Sequence, residues 1–222
     1  MAARRKKTRA SKKRKLSGAE STEPAKKKAK LSDEPSEIVF DDFPDFRPNL
    51  TPKQIFERGS FQDQGGYFRP IQSMHFKSEL RNAWKEFTAK GQCLEGVAVE
   101  KLVAPKGLSQ RALNGRNRYG VRAGSSLSDW EGKRWISAQD PYGWVQWYCR
   151  FTDGRRTDDD ERQIRRWKNF AGLKGRWKRF LLNKIVRANA EWDDEKISPV
   201  TRQNLQHWAY QLTEKDVEDF KH

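Results

Sequence analysis

The stretch "DPYGWVQWYCR", Asp140 to Arg150, sets two Trp and two Tyr into eleven positions, opens on Asp-Pro and closes on Arg. Asp140 has the side chain of a helix cap, and Pro141 suits the first helical position, where its missing N–H costs nothing. On a helix from Pro141, residues Tyr142, Val145, Tyr148 and Cys149 fall on one side, Trp144, Trp147 and Phe151 on another, and Gly154 lies just past the end. A helix apolar nearly all round belongs in the middle of its domain. The stretch therefore predicts the core helix of a mainly α protein.

Helix signals continue downstream. Thr157 with Asp160 reads as a capping box, and the acids from Asp158 to Glu161 suit the positive end of a helix running to Phe170. A further helix opens near Gly175, with Trp177, Leu181, Ile185 and Ala188 along one face. Ser198-Pro199 starts another that aligns Leu205, Trp208, Ala209 and Leu212, and Thr213 with Asp216 begins a short last one. Upstream, Ser128 with Glu131 reads as a capping box. Thr51, Pro52 and Gly59 frame a short helix, and Leu80, Trp84 and Phe87 suit a helix from Lys77 to Thr88. The rest of the front half is less regular and admits short strands near Val97–Val103 and Tyr119–Arg122. The nine Trp all fall in or beside helical segments, where a Trp most often fills core volume.

Three regions follow: a basic tail over residues 1–37, an extended arm over 38–50 that mixes Phe with Asp and Pro, and a single compact helical domain over 51–222. The chain has 46 Lys and Arg against 30 Asp and Glu, a formal charge of +16. Such a balance favours polyanionic partners, DNA or RNA first among them. The tail alone holds half of that charge. It has too few large apolar side chains to offset the entropy of ordering, so it is expected to be disordered. Its blocks Lys12, Lys13, Arg14, Lys15 and Lys26, Lys27, Lys28, Lys30 read as a nuclear import signal for an import receptor, which places the protein in the nucleus. Cys93 and Cys149 lie far apart with no paired-cysteine motif, so neither a disulfide framework nor a zinc knuckle is expected. No apolar run approaches the about 18 residues of a membrane span, and no membrane association is expected.

The folded part carries its surplus in one place. Between Arg155 and Arg187 twelve Lys and Arg face four acids. Arginine's planar fork suits bidentate phosphate contacts and stacking on bases. On their helices Arg162, Arg165 and Arg166 share a face, and Arg176 and Arg179 lie off the apolar seam. The connecting Gly172-Leu173-Lys174-Gly175 turn joins the two basic helices. The expected nucleic-acid-binding residues are thus Arg150, Arg155, Arg156, Arg162, Arg165, Arg166, Lys174, Arg176 and Arg179, with Trp144, Trp147 and Tyr148 as an aromatic wall on which a base could stack.

No signature commits the chain to catalysis, since it lacks phosphate-loop, nucleophile-elbow and paired metal-ligand motifs, and no cofactor or metal is expected. The second reading is a DNA- or RNA-processing or repair enzyme, for which Asp140 or Asp153 beside the aromatics would serve as the base. A third is a scaffold that docks proteins through exposed Trp and Arg.

The strings "GGYFRPI" (65–71), "DPYGWVQWYCRF" (140–151) followed by "GRR" (154–156), "DDERQIRRW" (159–167) and "SPVTRQNLQHWAYQL" (198–212) resemble an uncharacterised family of small eukaryotic proteins, Trp- and Arg-rich, from fungi, plants and algae. The resemblance spans roughly residues 43–215. In those relatives the first motif reads as Phe-Gly-Gly, whereas here Gln62, Asp63 and Gln64 stand between Phe61 and Gly65. The family has no established activity, so the resemblance implies no catalytic role for any residue.

Overall fold

A computed structural model describes residues 35, 37–71, 81–104, 109–125, 127–133 and 135–222. Residues 34–222 make one compact unit. The import blocks and nearly all of the basic tail lie outside the described residues. So do residues 77–80, at the start of the helix expected over Lys77–Thr88.

The protein is mainly α. In chain order the helices are α1 (Pro52–Glu57), α2 (Lys85–Thr88), α3 (Val99–Leu102), α4 (Gln110–Leu113), α5 (Leu127–Gly132), α6 (Trp144–Thr152), α7 (Asp160–Ala171), α8 (Arg176–Ala188), α9 (Pro199–His207) and α10 (Glu214–Lys221). Two begin at complete capping boxes, Thr51 with Gln54 at α1 and Thr213 with Asp216 at α10. Ser128, by contrast, lies inside α5 rather than ahead of it.

Among the described residues there is no strand. The Val97–Val103 stretch instead winds into α3, whose Leu102 is buried, and its backbone meets the Gly65–Phe68 turn through Phe68 N–H to Leu102 C=O (3.1 Å). Gly66 makes that approach: at φ +84° an added Cβ would stand 2.5 Å from Leu102 O, so only glycine fits. Tyr119–Arg122 is a turn held by Asn117, whose amide accepts from Val121 N–H (3.0 Å) and donates back to Val121 C=O. A side chain there supplies the partners that a neighbouring strand would have offered.

Helix α6 is the core helix, but it starts at Trp144 rather than Pro141. Pro141 and Tyr142 form a turn closed by Gly143 N–H to Asp140 C=O (2.8 Å), with Gly143 at φ +84°. Asp140 therefore does not cap the helix. Gln146 reaches back to accept from Tyr142 N–H (3.0 Å) in its place. Trp147, Tyr148 and Cys149 have no exposed surface.

The arm is built into the same core. Phe46 is fully buried, with its ring 5.1 Å from Trp167 and 5.7 to 6.0 Å from Trp147, Tyr148 and Phe151. Asn49 clips the arm to the far end of the chain: its amide donates to Gln211 C=O and accepts from Gln211 N–H, both at 2.8 Å.

Helices α7 and α8 pack on each other across the Gly172–Gly175 turn. A Cβ on Gly172 would meet Lys168 O at 2.7 Å, and one on Gly175 would meet Phe170 O at 2.6 Å. The two glycines are thus required by the tight helix connection. At the start of α7, Asp160 is buried and accepts from Trp147 Nε1 (2.8 Å) and Thr157 N–H (2.8 Å), which ties α7 to α6. Only half of the box expected there forms, because the Thr157 hydroxyl accepts from Asp159 N–H (3.3 Å).

Candidate nucleic-acid interface

Apart from Arg166, which lines a cavity, the twelve basic residues from Arg155 to Arg187, with Arg150 just before them, divide into two sets. One set is paired with carboxylates of the same chain. Arg150 grips Glu86 with two hydrogen bonds (2.6 and 2.7 Å) and also donates to Asp140 Oδ1 (2.9 Å), and the Glu86 contact raises its pKa. Arg155 takes the other oxygen of Asp140 at 2.7 Å. Arg156 pairs with Asp42 of the arm, lowering that carboxyl's pKa, and lies 3.8 Å over the Phe151 ring. Arg162 pairs with Asp159 one turn back, and Lys168 with Asp45 (3.2 Å). Lys178 is buried between Asp216 (2.5 Å) and the Tyr210 hydroxyl (2.7 Å), fastening α8 to α10. Arg150, Arg155 and Arg156, expected at the interface, thus serve the fold first, because carboxylates distant in sequence reach them.

The second set faces outward. Arg165, Lys174, Arg176, Arg179, Lys184 and Arg187 are exposed and make no ion pair among the described residues. Aromatic rings stand among them. Trp177, Phe180, Lys184 and Arg187 follow one another along α8 at helical spacing, with Trp177 and Phe180 in edge contact (6.0 Å) and Lys184 5.5 Å from the Phe180 ring centre. Phe180 keeps 43% of its surface exposed.

This stripe leads into a cavity of about 600 Å³. Its walls include Trp130, Trp135, Trp144, Trp177, Trp208 and Tyr142, drawn from α5, α6, α8, the end of α9 and the turns beside them. The rings form a continuous chain: Trp144 to Trp208 at 4.9 Å, Trp208 to Phe170 at 4.8 Å and nearly parallel, Phe170 to Trp177 at 5.8 Å. Trp130 lies directly on Gly143, where a Cβ would stand 2.8 Å from its ring, so the glycine that opens α6 also seats one wall. Trp135 is half exposed at the rim, with Lys133 4.6 Å from its ring.

The polar lining includes Arg69, Arg166, Asn169, Asn204 and His207; none of the described lining residues is Asp or Glu. Arg166 hydrogen-bonds the neutral amide of Gln163 (2.8 Å) and lies 5.4 Å from the Trp208 ring centre. Burial lowers its pKa, as it does that of Arg69. A guanidinium stays protonated even so, and a partly desolvated one favours an anion.

His207 stacks on Phe61 (4.1 Å) and shares a hydrogen bond with Gln203 (3.0 Å). Burial pushes its pKa from the ordinary 6.5 down to about 3, so the imidazole is neutral at physiological pH. The unfolded chain then binds this proton more readily than the folded one. The stability that neutral His207 contributes is complete above about pH 6.5 and is lost as pH falls towards 3. In a His207→Gln variant the fall in unfolding midpoint between pH 6.5 and 5 should be smaller than in the parent. Identical slopes would refute this origin.

Of the aromatics expected at the surface, only Trp144 lines the cavity; Trp147 and Tyr148 are fully buried and present no face to a ligand. The expected bases are also engaged elsewhere. Asp140 is buried between two guanidiniums, and Asp153 accepts from Cys93 N–H (2.8 Å). Trp130, Trp135, Trp177 and Trp208 also line the cavity; helical spacing put Trp177 and Trp208 on apolar faces and gave no sign that they share a wall. Among the described residues no three His, Cys, Asp or Glu come together as metal ligands, and no helix is long and apolar enough to cross a membrane. No family model, curated protein or solved structure matches the chain.

Proposed function

We propose that the protein binds nucleic acid in the nucleus, holding the phosphate backbone along α7 and α8. The observation that carries this reading is the row of exposed, unpaired cations set among a chain of rings that begins in the cavity and surfaces at Phe180. Cations spaced along paired helices suit a polyanion, and exposed rings between them suit the faces of bases whatever their sequence. Ion pairs within the chain occupy Arg150, Arg155, Arg156 and Arg162, and they leave Arg165, Lys174, Arg176 and Arg179 without a fold-related task. The cavity favours binding over chemistry on a base, because its described lining offers no carboxylate and burial makes its histidine a weak base, with a pKa of about 3. The basic tail supplies the import signal and adds nonspecific phosphate affinity.

The test uses the chain without residues 1–33, which retains the compact unit, titrated with single-stranded and duplex DNA and RNA over a range of salt. Binding is expected to weaken steeply with salt. Replacing Arg165, Lys174, Arg176 and Arg179 together by Ala should reduce the log–log salt slope by about 3, at roughly 0.7 to 0.9 per phosphate contact. An unchanged slope would remove α7 and α8 from the interface. Fused to a fluorescent protein, the same shortened chain should no longer accumulate in nuclei, and continued accumulation would refute the import signal.

A further inference from the structure

The cavity holds a combination that the packing of the domain does not require. Asn169 of α7 and Asn204 of α9 both line it, and neither side-chain amide makes a hydrogen bond among the described residues. Each offers a donor and an acceptor to whatever enters. Around them stand the indole rings of Trp130, Trp144, Trp177 and Trp208, and on the same side of α7 as Asn169 lies Arg166. The volume falls within the range of about 300 to 1,000 Å³ usual for small-ligand sites.

Each feature narrows the occupant. The indole walls call for a flat ring. Two guanidiniums with no carboxylate in the described lining disfavour a cation, including the methylated ammonium groups that aromatic cages often take, and favour a group that carries negative charge. Free amides suit the mixed donor and acceptor edge of a nucleobase. Position adds to this, because Arg165 lies one turn back from Asn169 on the same side of α7 and the Trp177–Phe180 stripe leaves the cavity along α8. A strand on that face would pass the mouth.

We propose that the cavity receives one unstacked nucleobase, with its phosphate at Arg166, from a nucleic-acid strand lying on α7 and α8. This rests on the reading given under Proposed function. Asn169 and Asn204 meet the edge of the base, and the indoles take its faces. Extrusion costs least where the base is unpaired, so the protein prefers a mismatched, bulged or single-stranded nucleotide to one in an intact duplex.

The experiment compares three duplexes of one length and the full chain: a fully paired duplex, one with a central base opposite an abasic site, and one abasic on both strands at that position. The second is expected to bind about tenfold more tightly than the third, within what stacking of a single base contributes. Asn169→Glu, at an exposed position of α7, places a carboxylate in the cavity and should bring that ratio to about one. Trp135→Ala at the rim should reduce it. Equal affinity of the second and third duplexes for the parent protein overturns the proposal, while their shared salt dependence would leave backbone binding intact. If no duplex binds, backbone binding fails, and mononucleotides decide the cavity alone. Quenching of tryptophan fluorescence by nucleoside monophosphates that Asn169→Glu abolishes upholds it, and absence of quenching overturns it.

Discussion

Asp140→Ala should destabilise the protein by about 3 to 5 kcal/mol, read as a lower urea midpoint at unchanged slope. The side chain is 1% exposed and neutralises two guanidiniums, Arg150 at 2.9 Å and Arg155 at 2.7 Å. Removing it leaves two positive groups facing each other across a buried space. Such a loss is a large fraction of the 5 to 15 kcal/mol by which domains are ordinarily stable. Arg150 keeps Glu86, so the effect falls mainly on Arg155, and Arg155→Ala in the Asp140→Ala background should cost little more. A loss under about 1 kcal/mol would mean that water reaches the pair and that Asp140 is not a structural anchor.

Phe46→Ala should cost a similar 3 to 5 kcal/mol, the usual range for removing a buried phenyl ring. The ring is fully buried against Trp147, Tyr148, Phe151 and Trp167, so its loss opens a void at the centre of the core. The neighbouring Asp45→Ala provides the contrast. Its carboxylate is 84% exposed and makes one surface ion pair with Lys168, which contributes less than about 1 kcal/mol. Amide exchange at Asn49 and Leu50, which both donate to Ala209 C=O, should accelerate in the Phe46 variant alone. Equal effects of the two substitutions would show that the arm merely covers the core.

These two residues also show where the sequence is readable. Thr213 and Asp216 signal a helix start by contacts three residues apart, and the structure forms that box. The apolar surround of Trp147 and Tyr148 marks a core helix for the same local reason. Asp140 carries the same kind of cap signal, yet its partners are two arginines ten and fifteen residues on, and ion pairing with a desolvated carboxylate outweighs a cap. Val97–Val103 admitted a strand, but a strand needs a neighbour to pair with, and that backbone meets a glycine turn instead. The cavity was the least legible feature. Its walls come from around residues 61–71, 124–145, 166–177 and 204–208, and no periodicity within one segment reports a ring contributed by another.

The Asn49 clip on Gln211 has a consequence for how the chain is made. The two residues are 162 positions apart, and the amides of Asn49 and Leu50 find their acceptor at Ala209. During synthesis the arm leaves the ribosome long before its partners exist, and Phe46 can find Trp147 and Trp167 only after most of the domain has emerged. Contacts of such separation form late and slow folding. A nascent chain halted before Ala209 would therefore leave the Asn49 and Leu50 amides without their acceptor, and Phe40, Phe43 and Phe46 would be open to chaperones until the last helices arrive.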